Sequence, residues 1–115
     1  MTRYQALTDL LSKVEAGDAV AFDPAFERAL YFPAQDMNRV YLANDANKGD
    51  LNAAVSLLGA VLPGWVWNLA PTYAHVMPPT DNGDQQASSG SADTPARALL
   101  IAILKALLEQ EPPND

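Results

Sequence analysis

Apolar residues recur with a helical period in three stretches of this chain and alternate in two others. Tyr4, Leu7, Leu10, Leu11 and Val14 fall on one side of a helix, and Gly17 is a natural stop, so a helix is predicted over 3–16. "DPAFERALYF" reads as a short second helix, with Asp23 as N-cap, Pro24 at the first helical position and Pro33 ending it. Residues 34–49 are ambiguous: "RVYLA" fits an edge strand, and "NDANKG" carries turn chemistry. Asp50 then caps a helix over 51–62 in which Leu51, Ala54, Val55, Leu58, Val61 and Leu62 share a face. Pro63-Gly64 ends it.

"WVWNLA" and "TYAHVM" are short, rich in aromatic and β-branched residues, and separated by Ala70-Pro71, which predicts strands over 65–69 and 72–77. Trp65, Trp67 and Leu69 alternate to one face of the first, and Tyr73, His75 and Met77 to one face of the second. From 78 to 92 the residues are mostly Pro, Asp, Asn, Gly, Gln and Ser, the makeup of a long, flexible polar loop. "DTPARALLIAILKALLEQ" closes the chain with Thr94 as N-cap and Pro95 at the first position of a helix over 95–109, ahead of a tail over 111–115. Its large apolar residues cover an arc of about 200°, roughly twice the stripe that a one-sided helix needs. The expected fold class is therefore α+β: helices packed on a small antiparallel sheet, α/β/α sandwich-like, as one domain.

The surplus apolar arc and the unprotected edges of so small a sheet together predict a homo-oligomer, a dimer or higher. The competing expectation is that helix 3–16 covers the arc from within the same chain. With 115 residues there is room for one core and not two. The absence of cysteine excludes disulfides and thiol chemistry. A net charge of −7, with seven basic residues scattered singly, argues against DNA or RNA as partner, because phosphate binding needs clustered Lys and Arg. No stretch approaches the length of a membrane span, and "MTRYQALTDLLSK" lacks the pattern of a signal peptide, so a cytoplasmic location is expected.

One residue of the closing helix is out of place. Arg97 lies in the first turn, where the macrodipole disfavours a cation, and it falls inside the apolar arc between the directions of Leu104 and Leu108. Two readings account for it. In one, Arg97 bridges to Asp93 or another acidic neighbour while its stem covers apolar surface. In the other, the guanidinium and the free N–H groups of the helix start converge on an anion, and Arg97 is then dispensable for folding.

Other chemistry is sparse. With His75 as the only histidine and no cysteine, a zinc site is not expected, and no cofactor is. Ser88, Ser89 and Ser91 lack the "GxSxG" elbow of a nucleophile, and "DNGD" at 81–84 lacks the Glu that completes a calcium loop. Trp65 and Trp67 read first as core residues. Either of them, or Tyr73, would serve as a stacking platform for a base if it lay open to solvent.

The order "DLNAAVSLL", "PGWVWNL", "YAHV" and "TPARALLIAILKAL", over residues 41–108, resembles small phage-encoded proteins of the phage ABA-sandwich type. The segment "DPAFERALYF" and the polar 78–92 loop depart from that pattern. The resemblance implies a phage or prophage accessory protein, not an enzyme, acting in the host cytoplasm. More loosely, the layout is similar to viral anti-defence sponge proteins of the anti-Thoeris kind, which implies sequestration of a small anionic cyclic-nucleotide signal. The residues expected to bind such a ligand are Arg97, Thr94, Tyr73, His75 and Trp65. The alternative is a protein-interaction module that meets a host or phage protein through an apolar helix surface.

Overall fold

The wide apolar arc of the closing helix is covered from two sides. The structure, a computed structural model, describes residues 3–17, 37–78 and 87–109. They form α1 (Arg3–Ala16), α2 (Met37–Asn47), α3 (Leu51–Val61), β1 (Val66–Ala70), β2 (Tyr73–Met77), β3 (Ser88–Ser91) and α4 (Pro95–Glu109). The class is the expected α+β, with helices packed on a small antiparallel sheet in one domain. The helix expected from Asp23 and Pro24, the polar residues 79–86 and the tail 111–115 lie outside the described residues.

Ten of the fifteen residues of α4 are buried, among them Leu99, Leu100, Ile101, Ile103, Leu104 and Leu107. A helix that is apolar nearly all round is stable only inside the protein. Here β2 and β3 lie along one side of α4, while α1, α3 and α2 lie along the other. The arc that seemed to call for a second copy is thus covered within the chain. Helix α1 supplies Leu7, Leu10 and Val14, all fully buried, with Tyr4 and Leu11 half-buried at the margins of the same face. Helix α3 supplies Ala53, Ala54, Leu57 and Leu58.

The "RVYLA" stretch is helical, not an edge strand: it belongs to α2, where Ala43 and Ala46 are buried one turn apart. The Lys48-Gly49-Asp50 sequence explains how α2 ends and α3 starts within three residues. Gly49, at φ +106°, closes α2 with a Schellman pair: its own N–H donates to the Ala46 carbonyl (3.0 Å) and that of Asp50 to the Asp45 carbonyl (3.0 Å). The Asp50 carboxylate then accepts from the N–H of Ala53 at 3.2 Å, capping α3.

The sheet runs β1-β2-β3, antiparallel throughout. The two expected strands are present, joined by a two-residue turn at Pro71-Thr72. The third corrects the reading of 78–92 as a loop, because Ser88–Ser91 pairs with β2, Ser91 opposite Tyr73 and Ser88 opposite Val76. Ser-Ser-Gly-Ser has no strand propensity to announce it; pairing with β2 and packing under α4 supply the stability. Trp67, Leu69, Ala74, Val76, Ser88 and Gly90 face α4 by this register, and Val66, Asn68, Ala70, Tyr73, His75, Met77, Ser89 and Ser91 face away. The expectation that both tryptophans are core residues needs correction. Trp65 is half-buried against the core, whereas Trp67 stays 41% exposed because β1 is the strand that α4 barely reaches.

Gly90 sets the distance between helix and sheet. A Cβ there would lie 2.4 Å from the Ala98 carbonyl oxygen and 2.8 Å from the Ala102 nitrogen, both backbone atoms that cannot step aside. Glycine on β3 and alanines one turn apart on α4 therefore allow backbone to meet backbone. Gly90→Ala should lower the unfolding free energy by about 1–3 kcal/mol through overpacking. Gly59→Ala, at a helical position of α3 where a Cβ meets nothing, should raise it by about 0.5–1 kcal/mol. Urea denaturation of the two variants beside the parent chain measures both.

Candidate functional site

The placement of Arg97 follows from where α4 begins. Thr94 caps the helix, its hydroxyl accepting from the Arg97 N–H at 3.2 Å, and the side chain of Arg97 runs into the ends of two other helices. Its Nη2 donates to the carbonyl of Val14 in the last turn of α1. Its Nε donates to Oδ1 of Asn47, the last residue of α2, at 3.3 Å. Its Nη1 pairs with the carboxylate of Asp93. A cation unwelcome at the start of α4 is thereby welcome twice over, at the negative ends of α1 and α2. The Val14 carbonyl already accepts from the Gly17 N–H at 3.1 Å, and Arg97 adds a second bond to the same oxygen.

Two glycines, both at positive φ, turn the chain at this junction. Gly17 ends α1 at φ +80°, and a Cβ there would stand 3.5 Å from Nη2 of Arg97. Gly49 passes beneath Thr94, whose Cγ2 would lie 3.8 Å from a Cβ at that position. The Arg97 side chain is 13% exposed, and that of Asp93, at 72%, reaches into solvent. Each of the three guanidinium nitrogens thus donates to a group of the same chain. Of the four N–H positions at the helix start, Pro95 has no N–H and Thr94 Oγ1 takes that of Arg97, which leaves at most the amides of Thr94 and Ala96 for an outside group. The ion pair with Asp93 expected of the first reading is present. Sequence alone did not point to Asn47, taken as a turn or cap residue, or to the Val14 carbonyl, because neither partner is near Arg97 in the chain.

Tyr73 and His75 form a second, separate group. Two residues apart on β2, they share the face turned away from α4. The Tyr73 hydroxyl is hydrogen-bonded to Nε2 of His75, and the rings meet edge to face at 4.4 Å and 80°. Asn68 on β1 and Ser89 on β3 stand opposite His75, so amide, imidazole and hydroxyl form one row across the three strands. Tyr73 is 38% exposed. Ser89 lies opposite His75, but the imidazole is engaged by Tyr73. Ser88 points to the other face, where its hydroxyl is buried.

Trp65 belongs to neither group. It precedes β1, its N–H donating to the Leu62 carbonyl at 3.1 Å, at the end of the sheet where Val66 pairs with Met77. Tyr73 is at the opposite end, beside Ala70. The five expected residues are therefore distributed over three places: Arg97 with Thr94, Tyr73 with His75, and Trp65 alone.

No group of three or more His, Asp or Glu side chains among the described residues could hold a metal ion. No helix among them is long and apolar enough to cross a membrane. In comparisons with known proteins, no family model matches the chain, and neither a curated protein nor a solved structure does.

The junction makes Arg97 a fastener of three helices, and its removal should be felt in the fold. Arg97→Ala should cost about 2–4 kcal/mol of stability, from two charge-assisted bonds and the packing of the stem. Arg97→Lys should recover only part of this, because a single ammonium cannot reproduce the fork. Asp93→Asn should cost less than about 1 kcal/mol, its carboxylate being exposed. Chemical denaturation of the three variants tests the set; a stable Arg97→Ala protein would return Arg97 to the role of a ligand-binding residue.

Proposed function

We propose that this protein acts by binding another protein, not by catalysis, and that it does so through the solvent face of its sheet. The observation that carries the reading is the Tyr73–His75 pair, held by its own hydrogen bond and open to solvent on that face. Tyrosine is among the side chains that most often dominate a protein interface, giving a rigid ring and a polar tip at low entropic cost. Between Leu51 and Thr80 there is no Asp, Glu, Lys or Arg, so this surface is neutral in a chain of net charge −7. A neutral, partly aromatic face rimmed by polar Ser89, Ser91 and Asn68 suits the core of a protein contact. The sheet takes the place of the apolar helix surface expected for such a module, since α4 is buried within the fold. The resemblance of residues 41–108 to small phage-encoded proteins supports the role of a phage or prophage accessory protein.

A second reading keeps the capture of a small anionic nucleotide, with Arg97 and Thr94 for phosphate and Tyr73 for the base. It has less support, because Arg97 points toward α1 and α2 while Tyr73 points away from α4.

Tyr73→Ala decides between them. The substitution is at a partly exposed strand position and should change stability by less than about 1 kcal/mol. Immobilised parent chain should retain a protein from bacterial extract that the variant loses by tenfold or more. A thermal-shift screen with cyclic and linear nucleotides should leave the melting temperature of the parent unchanged. A nucleotide that raised it, with the rise lost in Arg97→Lys, would replace this reading by the second.

A further inference from the structure

Among the described residues, the backbone of β1 is paired with a strand on one side only. The Thr72 carbonyl accepts from the Ala92 N–H at 3.1 Å, which sets the parity of the sheet. Even-numbered residues of β2 bond toward β3, and odd-numbered ones toward β1. On β1, Val66, Asn68 and Ala70 then spend their backbone groups on β2, while Trp67 and Leu69 direct N–H and C=O outward from the sheet. Among the described residues no strand pairs with that edge. Exposed edges are ordinarily protected by Lys, Pro or a bulge, and the five residues of β1 are Val-Trp-Asn-Leu-Ala. Val66 is 52% exposed and Trp67 41%.

We infer that the free edge of β1 is where a second copy of this chain pairs, antiparallel, about a two-fold axis through Asn68. The register is self-complementary. With Asn68 opposite its own mate, Trp67 of each copy lies opposite Leu69 of the other, and Val66 opposite Ala70. Trp67 and Leu69 are the residues whose backbone groups point away from β2, so each such pair exchanges both of its hydrogen bonds. Both of them lie on the face that carries α4, so the apolar side of one sheet continues into that of the next. The pair of Asn68 side chains meets on the solvent face as the close, non-hydrogen-bonded pair, where two amides can bond to each other.

Electrostatics selects this edge and this partner. Two copies at −7 each repel in general, and β3 ends two residues before the exposed carboxylate of Asp93. The β1 edge lies within the uncharged stretch from Leu51 to Thr80, so two copies meet there without bringing like charges together. This inference is independent of the proposed contact through Tyr73, which concerns the face of the sheet and not its edge.

Sedimentation of the full chain over a range of concentrations should show a species of twice 12.3 kDa. Asn68→Lys puts two ammonium groups face to face on the axis and should raise the dissociation constant tenfold or more, with partial recovery at high salt. Asn68→Cys gives a readout that does not need the lysine variant to fold well. The chain has no cysteine of its own, so any disulfide must join two copies. The Cα separation of a non-hydrogen-bonded pair, about 4.5 Å, is within disulfide range. Mild oxidation should yield a covalent dimer from Asn68→Cys and not from Ser91→Cys on the other edge. Tyr73→Ala should leave the doubled mass unchanged. A parent chain that stays at 12.3 kDa throughout, or a dimer indifferent to Asn68→Lys that does not cross-link through Asn68→Cys, would overturn the inference.

Discussion

The structure depends on covering a helix that has almost no polar side. Leu99, Leu100, Ile101, Ile103, Leu104 and Leu107 point in too many directions for any one surface to bury them. At roughly 25 cal/mol per Å² of apolar surface, leaving half of such a helix in water would cost more than a chain of this size has to spare. The rest of the fold is arranged around that constraint. The sheet takes one side of α4 and α1, α3 and α2 the other, so α4 is the layer through which sheet and remaining helices communicate. The sheet itself is small, and without α4 against Ala74, Val76 and Gly90 its three short strands would be marginal.

Packing around α4 has an electrostatic consequence at its start. Covering a helix with other helices brings helix ends together, and here the C-terminal turns of α1 and α2 meet the N-terminal turn of α4. The carbonyl of Val14 and the side-chain oxygen of Asn47 both accept from Arg97, which donates from a position that is unfavourable in α4 alone. Global packing overrides a local preference worth a few tenths of a kcal/mol, because the bonds gained are charge-assisted and shielded from water. The same geometry turns Arg97 inward. What the molecule offers outward is a sheet whose solvent face and β1 edge carry no charge at all, in contrast to the acidic remainder.

The sequence by itself determined α1, α3 and α4, the hairpin of β1 and β2 and the α+β class, because each of these has a local signal. Leu7, Leu10 and Val14 recur at the helical period, Asp50 and Thr94 are caps with a proline or apolar run behind them, and Trp67-Asn68-Leu69 alternates as a strand must. Of the candidate site, the oddness of Arg97 and its ion pair with Asp93 were legible, since the two are one turn apart. Only the tertiary structure decided that "RVYLA" is helical, because a run of Val, Tyr and Leu suits either element until Ala43 and Ala46 find a helix to pack on. Only it made a strand of Ser88–Ser91, whose stability comes from β2 and α4 and not from its own side chains. Arg97 reaches Val14 across 83 residues and Asn47 across 50, separations at which a single sequence carries no register. The separation of Trp65 from Tyr73, and of both from Arg97, is likewise a matter of which strand ends and helix ends meet. Local pattern specifies the pieces, because hydrogen bonds and periodicity act over a few residues; their contacts depend on how a shared apolar surface is buried, which no short stretch contains.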